Sequence, residues 1–155
     1  MKLRKFLGTI LAYAMVVSCL VAPAYGAENS DKNVINQKDL PYEWVDLAQV
    51  EFWEDSVMPL TTASFNKNIP AHTICTVSPQ LSFRAKHLVT FNCSYSLSSA
   101  SMDFGVLTPD GRFYSINVRG GSINQAIEIS QAGSYSVAIR NNSSQTVRVV
   151  GFVEY

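Results

Sequence analysis

The stretch Met102-Asp-Phe-Gly-Val-Leu-Thr-Pro-Asp-Gly-Arg-Phe-Tyr-Ser-Ile-Asn-Val118 decides the fold. Met102, Phe104 and Val106 alternate with other residues, and so do Tyr114, Ile116 and Val118. A period of two places each set on one face of a strand. Between them Thr108-Pro109-Asp110-Gly111 is a turn: proline presets the first central φ, and glycine takes a positive φ at no steric cost. The same grammar continues outward. Arg119-Gly120-Gly121-Ser122 turns the chain, Ile127 and Ile129 follow, and Gln131-Ala132-Gly133 turns it again. Tyr135, Val137 and Ile139 alternate next. Asn141-Asn142-Ser143-Ser144 reads as a hairpin loop whose asparagines suit left-handed conformations. Val147, Val149 and Val153 close the run, and Tyr155 ends it.

Upstream, Val89, Phe91, Cys93 and Tyr95 share one face of a strand, with Thr90, Asn92 and Ser94 on the other. Thr73 to Val77 is short and β-branched, and Leu81-Ser82-Phe83 precedes a turn at Arg84-Ala85-Lys86. Short strands at this spacing predict an all-β protein. The expected architecture is an antiparallel β-sandwich or jelly roll of about 7–8 strands, occupying residues 59–155.

The order Asp103, Phe104, Val106, Pro109, Asp110, Gly111, followed by Gly133, Tyr135, Val137, Ile139 and Asn141, resembles small extracellular modules. These are the bacterial pre-peptidase C-terminal domains and the GOLD-like β-sandwiches. The resemblance covers roughly the last fifty residues and consists mostly of turn and core positions. It implies a non-catalytic module that accompanies secreted enzymes or contacts proteins or polysaccharides.

The other end of the chain reads as an export signal over residues 1–26. Lys2, Arg4 and Lys5 form a basic start, Phe6 to Val21 is apolar, and Ala24-Tyr25-Gly26 places small residues before a cleavage point. A retained anchor is the alternative, but the apolar run is short for a span, which needs about 20 residues. Val16-Val17-Ser18-Cys19 also resembles a lipobox, so attachment to a cell surface through Cys19 is a second alternative to secretion, and the one route to a membrane partner. Its match is weakened because Leu20 to Ala24 stays apolar.

The chain has 12 Lys and Arg against 12 Asp and Glu. Losing the basic leader would leave the processed chain mildly acidic. No basic block has the density of a nucleic-acid footprint, so no nucleic-acid partner is expected. Acidic residues gather at Glu43, Asp46, Glu51, Glu54 and Asp55, while most basic residues follow them, a polarity that lets the acidic segment lie against the rest of the domain. Of three cysteines, Cys19 belongs to the leader. Cys75 and Cys93 are then expected to pair in an oxidising compartment, adding about 3 kcal/mol by chain entropy. A Cys75 nucleophile with His72 as its base would need an unpaired thiolate, which the even count disfavours.

Residues 27–58 form a polar, then aromatic and acidic, N-terminal segment. Ala27 to Leu40 has the composition of a disordered lead. Tyr42 to Met58 holds both tryptophans, and its periodicity fits neither helix nor strand cleanly. It is expected to be a strand or an irregular segment packed on the sandwich.

No motif assembles an active site: G-x-S-x-G, H-E-x-x-H, P-loop and G-x-G-x-x-G are all missing. No cofactor, metal or catalytic residue is expected. His72 and His87 read as surface or strand-edge residues. The turn alone explains Asp110, since calcium requires several oxygen partners. Glu51, Glu54 and Asp55 read as solvating charges and not as a glycosidase pair.

The aromatic residues are the candidate binding surface: Tyr42, Trp44, Phe52 and Trp53, with Phe113 and Phe152 on the outward parity of their strands. Exposed, they would stack sugars or grip a partner's apolar side chains. A small domain needs apolar area, so the first four are expected instead to cap the open end of the core. The expected function is that of a secreted, non-enzymatic sandwich acting through surface contacts with a cell-envelope, polysaccharide or protein partner. One alternative is an assembling, pilin-like subunit. A lesser one is a small hydrolase using Asp103 or Glu128.

Overall fold

The computed structural model describes residues 33–52 and 61–155. The leader, Cys19, residues 27–32, Trp53, Glu54 and Asp55 lie outside the described residues. Among the described residues eleven strands run in chain order: β1 Val34–Asn36, β2 Tyr42–Trp44, β3 Val50–Glu51, β4 Thr62–Ile69, β5 Ile74–Phe83, β6 Leu88–Tyr95, β7 Met102–Leu107, β8 Arg112–Val118, β9 Ser122–Glu128, β10 Gly133–Asn141 and β11 Val147–Glu154. They form two packed sheets, β1-β9-β6-β11-β4 and β2-β8-β7-β10-β5-β3.

The turn at Thr108–Gly111 is the tip of one long hairpin. The Thr108 hydroxyl accepts from Arg112 N at 3.0 Å and also donates to the Asp110 carboxylate. Gly111 takes φ 90°. From that tip the two arms pair antiparallel all the way back. Leu107 faces Phe113, Leu88 faces Glu128, Ile74 faces Arg140 and Ile69 faces Val147. A step along one arm is matched by nearly the same step back along the other. The paired arms roll up so that β4:β11 and β6:β9 lie in one sheet, while β5:β10 and β7:β8 lie in the other. This is jelly-roll order, and these eight strands agree with the number expected.

Inward-facing side chains fill the space between the sheets. Phe91, Met102, Phe104, Val106, Ile127, Val137, Ile139 and Val149 are fully buried. Phe91 meets Phe104 edge to face at 5.9 Å. Each such side chain stabilises by about 1.5–3 kcal/mol. Gly151 lies opposite Cys93 between β11 and β6. A Cβ there would come within 2.3 Å of the Asn92 carbonyl oxygen, so no larger residue fits.

Residues 33–52 depart most from expectation. The polar lead is ordered from Asn33, with β1 paired parallel to β9 and a 3-10 turn at Gln37–Asp39. Gln37 is buried and its amide oxygen accepts from the Ser130 backbone N–H at 3.0 Å. β2 then pairs with β8, and β3 pairs parallel with β5. These two parallel pairings make the sheets mixed instead of purely antiparallel. All four sheet edges are therefore strands β1 to β4, an economical way of covering edges that would otherwise template aggregation. Between β2 and β3 the chain crosses the outer face of the six-stranded sheet as a strap. Val45 and Leu47 of the strap pack on Val50, Ile74, Leu107, Phe113 and Ala138.

Asn141 also differs from its reading as a left-handed loop residue. It ends β10 fully buried, and its side-chain NH2 donates to the carbonyls of Ile69, Pro70 and Gln145 at 2.7–3.0 Å. The residues after it carry the chain from one sheet to the other, so they are a crossover and not a hairpin.

Candidate functional site

Tyr42 and Trp44 are two residues apart on the edge strand β2, so both rings lie on one side of it and Glu43 on the other. They do not cap the core: Tyr42 is 52% exposed and Trp44 65%. Their rings meet edge to face at 6.3 Å. Tyr42 leans on its cross-strand partner Tyr114, with ring centroids 5.3 Å apart. Tyr114 in turn packs against the main core. The Arg112 guanidinium lies 5.8 Å from the Trp44 ring centroid, a cation–π contact.

Arg112 is held in place. Its Nε donates to Asp110 at 3.0 Å, its Nη2 lies 2.9 Å from the same oxygen, and its Nη1 donates to the Tyr114 hydroxyl at 3.3 Å. The Thr108 hydroxyl, and then Arg112, hold the Asp110 carboxyl below the usual carboxylate range. The hairpin tip and the aromatic edge are thus one unit, in which Asp110 fixes Arg112 and Arg112 backs Trp44.

On the opposite side of β2, Glu43 accepts from Arg140 at 2.6 Å. Arg140 also donates to Asp103, which is 3% exposed and accepts further from Asn117 and Asn142. A groove of about 300 Å³ opens here. With every Asp103 contact a charge-assisted hydrogen bond, this cluster ties β2 to the sheet. Asp103 is committed to that network, so it is not placed as a hydrolase acid. Glu128 accepts from Asn36 of β1 at 2.9 Å and sits on the other sheet.

The remaining candidates are scattered. Phe52 is exposed beside a groove of about 350 Å³ whose floor and walls include Leu47, Thr76, Ser78, Leu107, Thr108 and Ser136. Phe152 is half-buried on the outer face of the five-stranded sheet, with Asn92, Ser94, Asn124 and Val150. Phe113 does fall on outward parity, but it is only 1% exposed. The strap residues Val45 and Leu47 cover it, so Phe113 is removed from the candidate surface. The five candidate aromatic residues that are described therefore do not form one patch. Those described lie in separate places, and only Tyr42 and Trp44 touch.

The expected bridge between Cys75 and Cys93 is not formed: both are free, buried thiols. Both point inward, as their alternation requires, but from opposite sheets and different columns. Cys75 is on β5, which packs against the edge strand β4; Cys93 is on β6, two strands away from β4. Strands are about 4.8 Å apart and packed sheets about 10 Å, whereas a disulfide needs Cα atoms within about 7 Å. The Cys75 thiol instead donates to Glu51 at 3.0 Å. Burial, reinforced by Glu51, pushes Cys75 up to about 12. Burial pushes Cys93 up to about 12 as well. Neither has the character of a nucleophile. His72 is exposed in the turn before β5, at φ 56°, and His87 stacks on Phe83 at 4.9 Å. Among the described residues, no three His, Cys, Asp or Glu side chains converge as metal ligands would.

That Tyr42 and Trp44 would share one side of a strand was legible in their spacing. Arg112 and Asp110 carried no such signal, because a turn explains them fully. Compared with known proteins, the chain matches no family model and no curated protein.

Proposed function

We propose that this domain is an exported, non-enzymatic binding module that acts through surface contacts with a cell-envelope, polysaccharide or protein partner. One observation carries the reading: two large aromatic rings, side by side and open to water, stand on a strand pinned from both faces. Tyr42 rests on Tyr114 on one side, and Glu43 is tied to Arg140 on the other. A small domain short of apolar area would ordinarily bury these rings. Holding them outward on a rigid support is what a recognition surface requires. The basic and apolar leader supports export. A donor-strand assembly of the pilin type requires a vacant edge. Here β9, β8 and β5 are flanked by β1, β2 and β3 of the same chain, which favours a module that is structurally self-sufficient.

The test uses Trp53→Phe, which leaves Trp44 as the sole tryptophan. Its emission is followed while envelope preparations, purified envelope proteins and polysaccharides are added, with co-sedimentation in parallel. A blue shift with at least one of them is expected. Unchanged emission and no co-sedimentation with all of them would refute the reading.

A further inference from the structure

Resting on that reading, we infer that Tyr42, Trp44, Arg112 and Asp110 form a binding site for an uncharged saccharide chain. Four features point to that chemistry. The first is the apolar flat surface of Trp44, which remains mostly open although Arg112 lies over it. A pyranose offers a matching flat face of C–H groups, and burial of both faces is favourable.

The second is the setting of the rings. Beside the rings stand the Arg112 guanidinium, over Trp44, and Tyr114, against Tyr42; Arg112 is bonded in turn to the Asp110 carboxylate and the Tyr114 hydroxyl. A protein's apolar hot spot would be surrounded by aliphatic side chains that exclude water. A ring edged by hydrogen-bonding groups instead suits a ligand whose apolar face is edged by hydroxyls.

The third is charge. Asp110 and Arg112 neutralise one another at 2.9 Å. An anionic glycan would meet an arginine already paired, and a cationic one a carboxylate already paired. An uncharged ligand loses nothing from this pairing. It also finds donors, since three of the five guanidinium N–H groups are engaged by Asp110 and Tyr114 and two remain.

The fourth is rigidity. The rings sit on a strand whose alternate residue, Glu43, is bonded to Arg140 at 2.6 Å behind it. Little side-chain entropy is then left to lose when a ligand docks.

The full chain is assayed by co-sedimentation with cellulose and mannan as uncharged probes and alginate as an anionic one. Trp44→Ala, Trp44→Phe and Tyr42→Ala are compared, with circular dichroism to confirm folding; both positions are exposed, so the fold is expected to survive. The expected result is binding to an uncharged probe that Trp44→Ala weakens about tenfold or more and Trp44→Phe largely restores. It should change less than about twofold between about 0.05 M and about 0.5 M NaCl, because no net charge is being screened. Binding to alginate alone, with steep salt dependence, overturns the uncharged assignment but leaves a surface-binding module. Binding that Trp44→Ala and Tyr42→Ala leave unchanged overturns the site. Binding to no polysaccharide overturns this inference, while a Trp44 shift with an envelope protein would still uphold the broader reading.

Discussion

Arg140 donates to a single carboxylate oxygen of Asp103 from both Nε and Nη2, at 2.8 and 2.6 Å. This pair sits on the outer face of a sheet, where alternation alone would leave it in water. It is buried because the strap and β2 lie alongside, and because Asn117 and Asn142 take up the remaining acceptor capacity of Asp103.

Removing one partner strands the other. Asp103→Ala is expected to destabilise by about 3 kcal/mol, since an arginine with little exposure loses its counter-charge. Glu43→Gln removes a mostly exposed partner of the same arginine and should cost no more than about 1 kcal/mol. Urea denaturation of both variants checks the ordering; equal losses would show that the Arg140 network is not centred on Asp103.

Acid should release β2 before it unfolds the sandwich. The hydrogen bond from Arg140 holds the Glu43 carboxyl below its ordinary value of 4.5. A depressed carboxyl contributes stability that is complete above its unfolded value and is lost as pH falls through the lower folded one. Amide exchange in residues 42–51 should therefore rise as pH falls below 4.5 and through the lowered folded value of Glu43, while β6 and β11 stay protected. Glu43→Gln should remove that pH dependence from the segment. Uniform exchange across all strands would refute a separable strap.

Parity was readable in the sequence; coverage was not. The alternation of Val89, Phe91, Cys93 and Tyr95 gives the inner face of β6 correctly, and that of Met102, Phe104 and Val106 does so for β7. Yet Asp103, Gly105 and Leu107 are buried too, because a segment about sixty residues away in sequence lies over them. Phe113 has the same history. The cysteines show the complementary gap: alternation places Cys93 inward, as it is, but the column each cysteine occupies depends on how the long hairpin rolls. Nothing local encodes that. Trp44 was misjudged because apolar character argues for burial unless the strand bearing it lies at an edge. The strap itself is short, polar in part and periodic in neither sense, so only the pairing of its flanking strands, β2 with β8 and β3 with β5, reveals it.

The two thiols should be silent in the native protein. With both held at about 12, roughly one in ten thousand is ionised at pH 8. A thiol reagent should count no reactive groups among Cys75 and Cys93 in native protein and two after denaturation without reductant. A bridged protein would give none in either state. Because the folded values are raised, the thiols contribute stability that is present below about pH 9 and is lost as pH rises toward 12. Alkaline denaturation should accordingly begin earlier in the native sequence than in a Cys75→Ala, Cys93→Ala variant, once the loss of packing at neutral pH is subtracted.

Gly105 should be irreplaceable. It faces outward in the middle of β7, where a strand would ordinarily gain from a β-branched residue. A Cβ added there would lie 2.0 Å from the Tyr114 carbonyl oxygen, 2.8 Å from Ser115 Cα and 2.9 Å from the Phe113 ring. Two of these three are backbone atoms of the paired strand β8, so no side-chain rotation relieves the contact. The ring cannot yield either, since Val45 and Leu47 hold it from above. Gly105→Ala is thus expected to cost about 3 kcal/mol or more, beyond the usual overpacking of a flexible core. Phe113→Ala, which frees only the ring, should not rescue it, because the Tyr114 contact remains. Thermal denaturation of the two single variants and the double variant decides this. Recovery in the double variant would place the conflict in the ring instead of in the strand pairing.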